Sequence, residues 1–267
     1  MLRFIAFLGL LVYFSLPSFS QISLIHPKYL KGETYAVVVG ISDYVDDRLD
    51  LTVADKDALA IGRWLRNHGF PKLDDAHLSL LTNQQATKAN IVQALQKVAR
   101  SAGPDDRIIF YFSGHGAPEG LATADYRVAD SGNLLRHETV KTILKLSRST
   151  QTLLIVDACH AGGSESAMYF GVFTDLKNGY LNSGISMLLS SDVSQSSLEY
   201  PDVGLSYFTH YLLQGIEKGY ANTNKDNLIT IDEAFNYVRL NVQVLTSSQQ
   251  TPTKGGDFDP SIVMRLY

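Results

Sequence analysis

The chain has 267 residues, 23 of them Lys or Arg and 27 Asp or Glu, for a formal charge of −4, and it contains one cysteine. That balance argues against a nucleic-acid partner or a charge-held membrane surface. The length suits a single α/β domain, and a lone cysteine forms no internal disulfide.

The N-terminus carries Arg3, an apolar run from Phe4 to Phe14, and then Ser18, Phe19 and Ser20. This pattern predicts a secretory signal peptide over residues 1–20, cleaved after Ser20, with an exported (periplasmic or secreted) product that keeps no membrane anchor. An uncleaved anchor is the alternative. Gln21, at the predicted mature start, is not the cysteine that a bacterial lipid anchor needs. In an oxidising compartment an unpaired thiol is either a packing residue or a reactive one.

Residues 21–32 read as a polar lead, and residues 33–267 as one domain. The run YAVVVGI (35–41) is apolar and β-branched throughout, as expected of a strand covered on both faces. Ala54, Ala58, Ile61 and Leu65 recur at helical spacing before Gly69 and Pro71. A short strand follows over 77–81, then a helix carrying Ile91, Leu95 and Val98, then RIIFYF (107–112), which runs into Ser113, Gly114, His115 and Gly116. A small hairpin is expected within 121–128 and a short helix around Val140, Ile143 and Leu144. The stretch TLLIVDACHAGG (152–163) reads as a strand breaking at Asp157, with Cys159 just beyond.

Residues 164–184 form a polar linker between a large part, ending near 163, and a smaller part over 185–267. In the smaller part a strand at 185–189 ends in Ser190, Ser191 and Asp192, two helices carry Phe208, Leu212 and Ile216 and then Phe235, Val238 and Val242, and a last strand lies at 262–266. Strands alternating with helices predict a mostly parallel central sheet of about six strands with helices on both faces, whose site forms at the carboxyl ends of the strands. Three predicted strands end in chemistry there: His115, Cys159 and Asp192.

A cysteine attacks a carbonyl as its thiolate and needs a neighbouring imidazole to take the proton and later return it to the leaving group. His115, 44 residues before Cys159 and flanked by glycines, is the candidate base; a turn histidine between glycines is the competing reading. His160 adjoins the cysteine but is expected to point elsewhere, and His68, His77, His137 and His210 have no partner motif. YFSGHG (111–116) followed by DACHAG (157–162) resembles the caspase and metacaspase superfamily of cysteine peptidases, and with the first strand and QTPT (250–253) it resembles the bacterial metacaspase-like members.

The resemblance implies a caspase-like three-layer sandwich, Cys159 as nucleophile, His115 as general acid and base, and an oxyanion hole from the N–H groups of Gly116 and Cys159. It further implies that Asp157 and Asp192 are the acidic residues of the substrate pocket. Two carboxylates there would favour cleavage after Arg or Lys. A protein or peptide substrate is expected and no cofactor is required. Lys177, in the linker, fits that specificity as a site of self-cleavage.

Residues 221–233 place Asn222, Asn224, Asp226, Thr230 and Glu233 at calcium-loop spacing. Only two are carboxylates, and Asn227 occupies the usual glycine position, so a helix-capping turn is the stronger expectation and weak calcium binding the other. A catalytically silent scaffold that binds protein partners and a related amidase or transpeptidase are the competing functions.

Overall fold

A computed structural model describes residues 31–69, 71–117, 119–129, 131–160, 179–192 and 195–267, with 131, 159 and 160 described at the backbone only. The predicted signal peptide, most of the lead and of the linker, and Lys177 lie outside these residues. In chain order the elements are β1 (Thr34–Gly40), α1 (Ala54–His68), β2 (Leu78–Thr82), α2 (Lys88–Ser101), β3 (Arg107–Ala117), β4 (Gly120–Ala122), β5 (Leu134–Arg136), α3 (His137–Lys145), β6 (Gln151–His160) and β7 (Ile185–Leu189). There follow β8 (Glu199–Tyr200), β9 (Leu205–Ser206), α4 (Tyr207–Glu217), β10 (Leu228–Thr230), α5 (Ile231–Leu245), β11 (Thr253–Gly256) and β12 (Val263–Leu266). Among the described residues no helix is long and apolar enough to cross a membrane.

The main sheet runs β11-β7-β6-β3-β1-β2. All neighbours along it are parallel except β11, which pairs antiparallel with β7. Side chains alternate between faces along a strand. Val37, Val39, Phe110, Phe112, Leu154 and Val156 pack with α2 and α3, whereas Ala36, Val38, Ile109, Tyr111, Leu153 and Ile155 pack with α1, α4 and α5. Both faces are therefore dry, which explains the unbroken apolar runs. Each Val or Ile so buried contributes roughly 1.5–3 kcal/mol. The predicted three-layer α/β architecture is what forms.

The structure redraws three local details. β3 does not stop at Phe112 but carries SGHG as strand, and β6 continues past Asp157 to His160. The register Ser113↔Asp157, Gly114↔Ala158, His115↔Cys159 and Gly116↔His160 holds both motifs in one ladder, and where β1 ends, β4 takes its place beside β3. The expected hairpin is wider, formed by β4 and β5.

The last strand, β12, leaves the main sheet to pair with β10, and the edge is instead β11, TKGG, whose two glycines carry no strand signal. Gly256 has φ +63°, and a Cβ there would lie 2.2 Å from the Ile185 carbonyl oxygen, so close pairing at this edge requires glycine.

Candidate active site

The central pair of strands sets the site. Because His115 and Cys159 are register partners on parallel neighbours, their backbones lie side by side at the carboxyl end of the sheet, with Gly116 one place further along β3. His115 is 8% exposed. Its Nε2 donates to the carbonyl oxygen of Leu49 at 2.8 Å. That bond requires the proton on Nε2, leaving Nδ1 as the acceptor; Nδ1 is buried and has no hydrogen-bond partner among the described residues. Burial pushes the imidazole below its ordinary pKa, against smaller upward pulls from the Leu49 carbonyl and Glu199. The ring is thus neutral at pH 7, with one nitrogen anchored and one able to take a proton.

The anchor depends on the loop after β1. Asp46, held at about 2 by the Arg48 guanidinium, stiffens a short turn over Asp47–Leu49. Asp50 accepts from the Tyr44 N–H at 2.9 Å, and the Tyr44 hydroxyl accepts from the His115 N–H at 2.9 Å, its ring lying 5.3 Å from the imidazole. Gly114 makes room for that hydroxyl: a Cβ at this position would come within 2.7 Å of it. The glycine before the histidine is therefore explained by the close approach of Tyr44.

Two residues before the cysteine, Asp157 is 3% exposed. Its Oδ1 accepts from Ser197 Oγ at 2.5 Å, and its Oδ2 accepts from Ser206 Oγ and from Thr209 Oγ1 at 2.8 Å. Ser206 caps α4, its Oγ accepting from the Thr209 N–H, so Asp157 sits at a helix N-terminus, where negative charge is favoured. Asp57, fully buried in the first turn of α1, accepts from Ser113 Oγ at 3.0 Å and from the Ser206 N–H at 2.9 Å. Burial raises the pKa of both carboxyls, and Asp157 raises that of Asp57 further.

Asp57 and Asp157 line one small cavity together with Ser113, Gly114, Ser197 and Glu199. Asp192, expected as the second pocket carboxylate, lies half-buried on the loop after β7 and is not among the lining residues. The carboxylates that line it besides Asp157 are Glu199 and Asp57, the latter an acid at helical spacing from Ala54, Ala58 and Ile61 on the apolar face of α1. That placement was the signal in the sequence.

Gln250, within QTPT, is fully buried and ties the wall of this cavity, donating to the Ser190 carbonyl oxygen at 2.9 Å and to Ser197 Oγ at 3.2 Å while accepting from the Leu198 N–H at 2.9 Å. The carbonyl of Leu49 had no side-chain signature and was invisible to motif reading.

The 222–233 loop is bonded within itself in part. Asn224 and Asp226 hydrogen-bond each other, and Glu233 forms a reciprocal capping box with Thr230 at the start of α5. Among the described residues no group of three or more His, Cys, Asp or Glu is placed to hold a metal ion. Thr230 and Glu233 form the expected helix cap, while Asn222 Oδ1 and Glu233 Oε1 are buried without a hydrogen-bond partner among the described residues.

A match to the caspase-domain family model extends over residues 33–256. The chain belongs to that family. Similar proteins include Metacaspase-2 of Arabidopsis thaliana, 27% identical over 236 residues covering 74% of this chain and 55% of that protein. Metacaspase-1A of Aspergillus terreus is 28% identical over 159 residues, covering 52% of this chain and 38% of that one. The chain thus spans about half or less of the length of these relatives. Among solved structures, protein GSU0716 from Geobacter sulfurreducens has the same fold, with a TM-score of 0.61 and 15% identity over 88% of this chain and 97% of that one.

Proposed function

We propose that the domain is an exported cysteine endopeptidase that cleaves after Arg or Lys. The observation that carries this reading is the state of His115: Nε2 is spent on Leu49, and Nδ1 is buried, neutral and unpartnered among the described residues, on the strand whose register partner is Cys159. In this scheme Nδ1 takes the thiol proton and the thiolate attacks the peptide carbonyl carbon. The N–H groups of Gly116 and Cys159 receive the oxyanion, a contribution on the order of a hundredfold or more in rate per donor. The imidazolium then gives its proton to the leaving amine nitrogen, and a thioester forms. Water, deprotonated by the same nitrogen, releases the acid and regenerates the thiol. These steps run on side chains and backbone alone.

The buried carboxyls of Asp57 and Asp157 support the basic specificity, since an acidic side chain would meet like charge there. Asp192, on the loop after β7, is the further acidic residue that the resemblance gives to this specificity. Cleavage after Lys177 and removal of residues 1–20 complete the reading. Labelling by a peptidyl chloromethylketone ending in arginine, located at Cys159 by mass spectrometry, tests it. Preferential turnover of peptides ending in aspartate overturns the specificity, and failure of Cys159 to react overturns the peptidase.

A further inference from the structure

The cavity over Asp57 and Asp157 has a volume of about 20 Å³. A single water needs roughly 10–15 Å³ on this measure, so a guanidinium or ammonium head on its methylene stem does not fit as the walls now stand. One wall is the loop leading into α1, with Leu51 and Val53; the other is the segment entering β8, with Leu198 and Glu199. At the mouth Glu199 joins them: its carboxylate accepts from the Thr52 N–H at 2.8 Å and from the Thr52 hydroxyl. The floor carboxylates differ from this one. Asp157 is saturated by three hydroxyl donors inside the protein, whereas Glu199 is half-buried and its two bonds are to an exposed threonine.

We propose that Glu199 is a specificity-determining residue at the mouth of the pocket, closing it through Thr52 and, once that bridge opens, pairing with the cationic head of the entering side chain. This rests on the basic-site reading above. Exchange is favourable for a cation because a charge-assisted bond to guanidinium replaces bonds to a neutral hydroxyl and amide. A neutral side chain must break the same bridge with no such return. Glu199 thereby rejects neutral residues as well as admitting basic ones.

The test compares kcat/KM for two peptide substrates that differ only in arginine or its neutral isostere citrulline at the cleaved position. Glu199→Gln is expected to lower the arginine-to-citrulline ratio about tenfold, with Glu199→Asp restoring part of it. Thr52→Val, which removes the hydroxyl bond and leaves the charge, is expected to raise turnover of both substrates about threefold at an unchanged ratio. Because His115 and Cys159 act on both substrates, a general loss of catalytic power or of folded protein moves both rates and not their ratio. An unchanged ratio in Glu199→Gln, or slower turnover in Thr52→Val, overturns the proposal. If the wild-type protein processes neither arginine nor lysine peptides but accepts another residue, it is the basic-site reading that fails.

Discussion

His115 and Asp157 lie on neighbouring strands, two places apart in register, and their hydrogen bonding is opposite. The imidazole spends one nitrogen on the Leu49 carbonyl and keeps the other buried without a partner among the described residues. The carboxylate spends both oxygens on the hydroxyls of Ser197, Ser206 and Thr209. A proton-transfer group needs an open acceptor, while a group that organises its surroundings has none. On the proposed reading the same sheet end therefore sets a proton acceptor beside a fully bonded carboxylate, and the difference comes from which loops close over each.

The sharpest way to break this comparison is to remove the reactive member. His115→Ala is expected to lower kcat/KM by about 10²–10⁴, the usual contribution of a general acid–base, with little change in thermal stability. Equal losses of activity and of folded protein would place His115 with Asp157 as a structural group. Asp157→Ala should do the reverse in kind: it removes the shared acceptor of three buried hydroxyls, each loss a penalty of roughly 1–3 kcal/mol, so a stability loss of several kcal/mol in urea denaturation is expected. Asp157→Asn, which keeps one acceptor oxygen, should lose less. If both variants melt with the wild type, Asp157 is not the hub its hydrogen bonds describe.

The pair also responds oppositely to pH. Burial lowers the pKa of His115 and holds that of His137, against Ala117, at about 4. An unfolded histidine near 6.5 takes up its proton first as the pH falls, so the stability of a neutral buried histidine is present at high pH and lost downward from 6.5. Asp57 and Asp157 have raised folded values, so their contribution is present in acid and is lost as the pH rises through those values. Replacing His137 by leucine removes one histidine from this opposition. Its stability difference between pH 7 and pH 4 should shrink by about 3 kcal/mol relative to wild type, measured by denaturation at the two pH values. An unchanged difference would show that His137 is not buried neutral.

The sheet, its helices and the pair His115 and Cys159 were legible because each rests on a local pattern: apolar runs, helical spacing, and small residues around a histidine or cysteine. Asp57, Leu49 and Glu199 were not, for three separate reasons. Asp57 reaches the cavity through the packing of α1 on β3, which no local motif encodes, although an acid on an apolar helix face hinted at it. Leu49 acts through its carbonyl, which every residue has. Glu199 meets Thr52 only when segments 147 residues apart close together. Asp192 shows the converse: it follows a strand in sequence, yet it is not among the described residues that line the cavity.

The smallest effect concerns the other carboxylates singled out by spacing, those of the 222–233 loop. Glu233 accepts from the Thr230 N–H at 2.9 Å while Thr230 Oγ1 accepts from the Glu233 N–H at 3.3 Å, closing the first turn of α5. These bonds serve a helix end, as those of Asp157 serve α4, but the loop lies apart from the residues that line the pocket. Thr230→Ala is therefore expected to lower stability by about 1 kcal/mol and to leave kcat/KM unchanged. Millimolar calcium should not alter the melting of either form. A calcium-dependent rise in melting temperature that disappears on Glu233→Gln would instead assign the loop to the metal, because a cap made within the protein gains nothing from the ion.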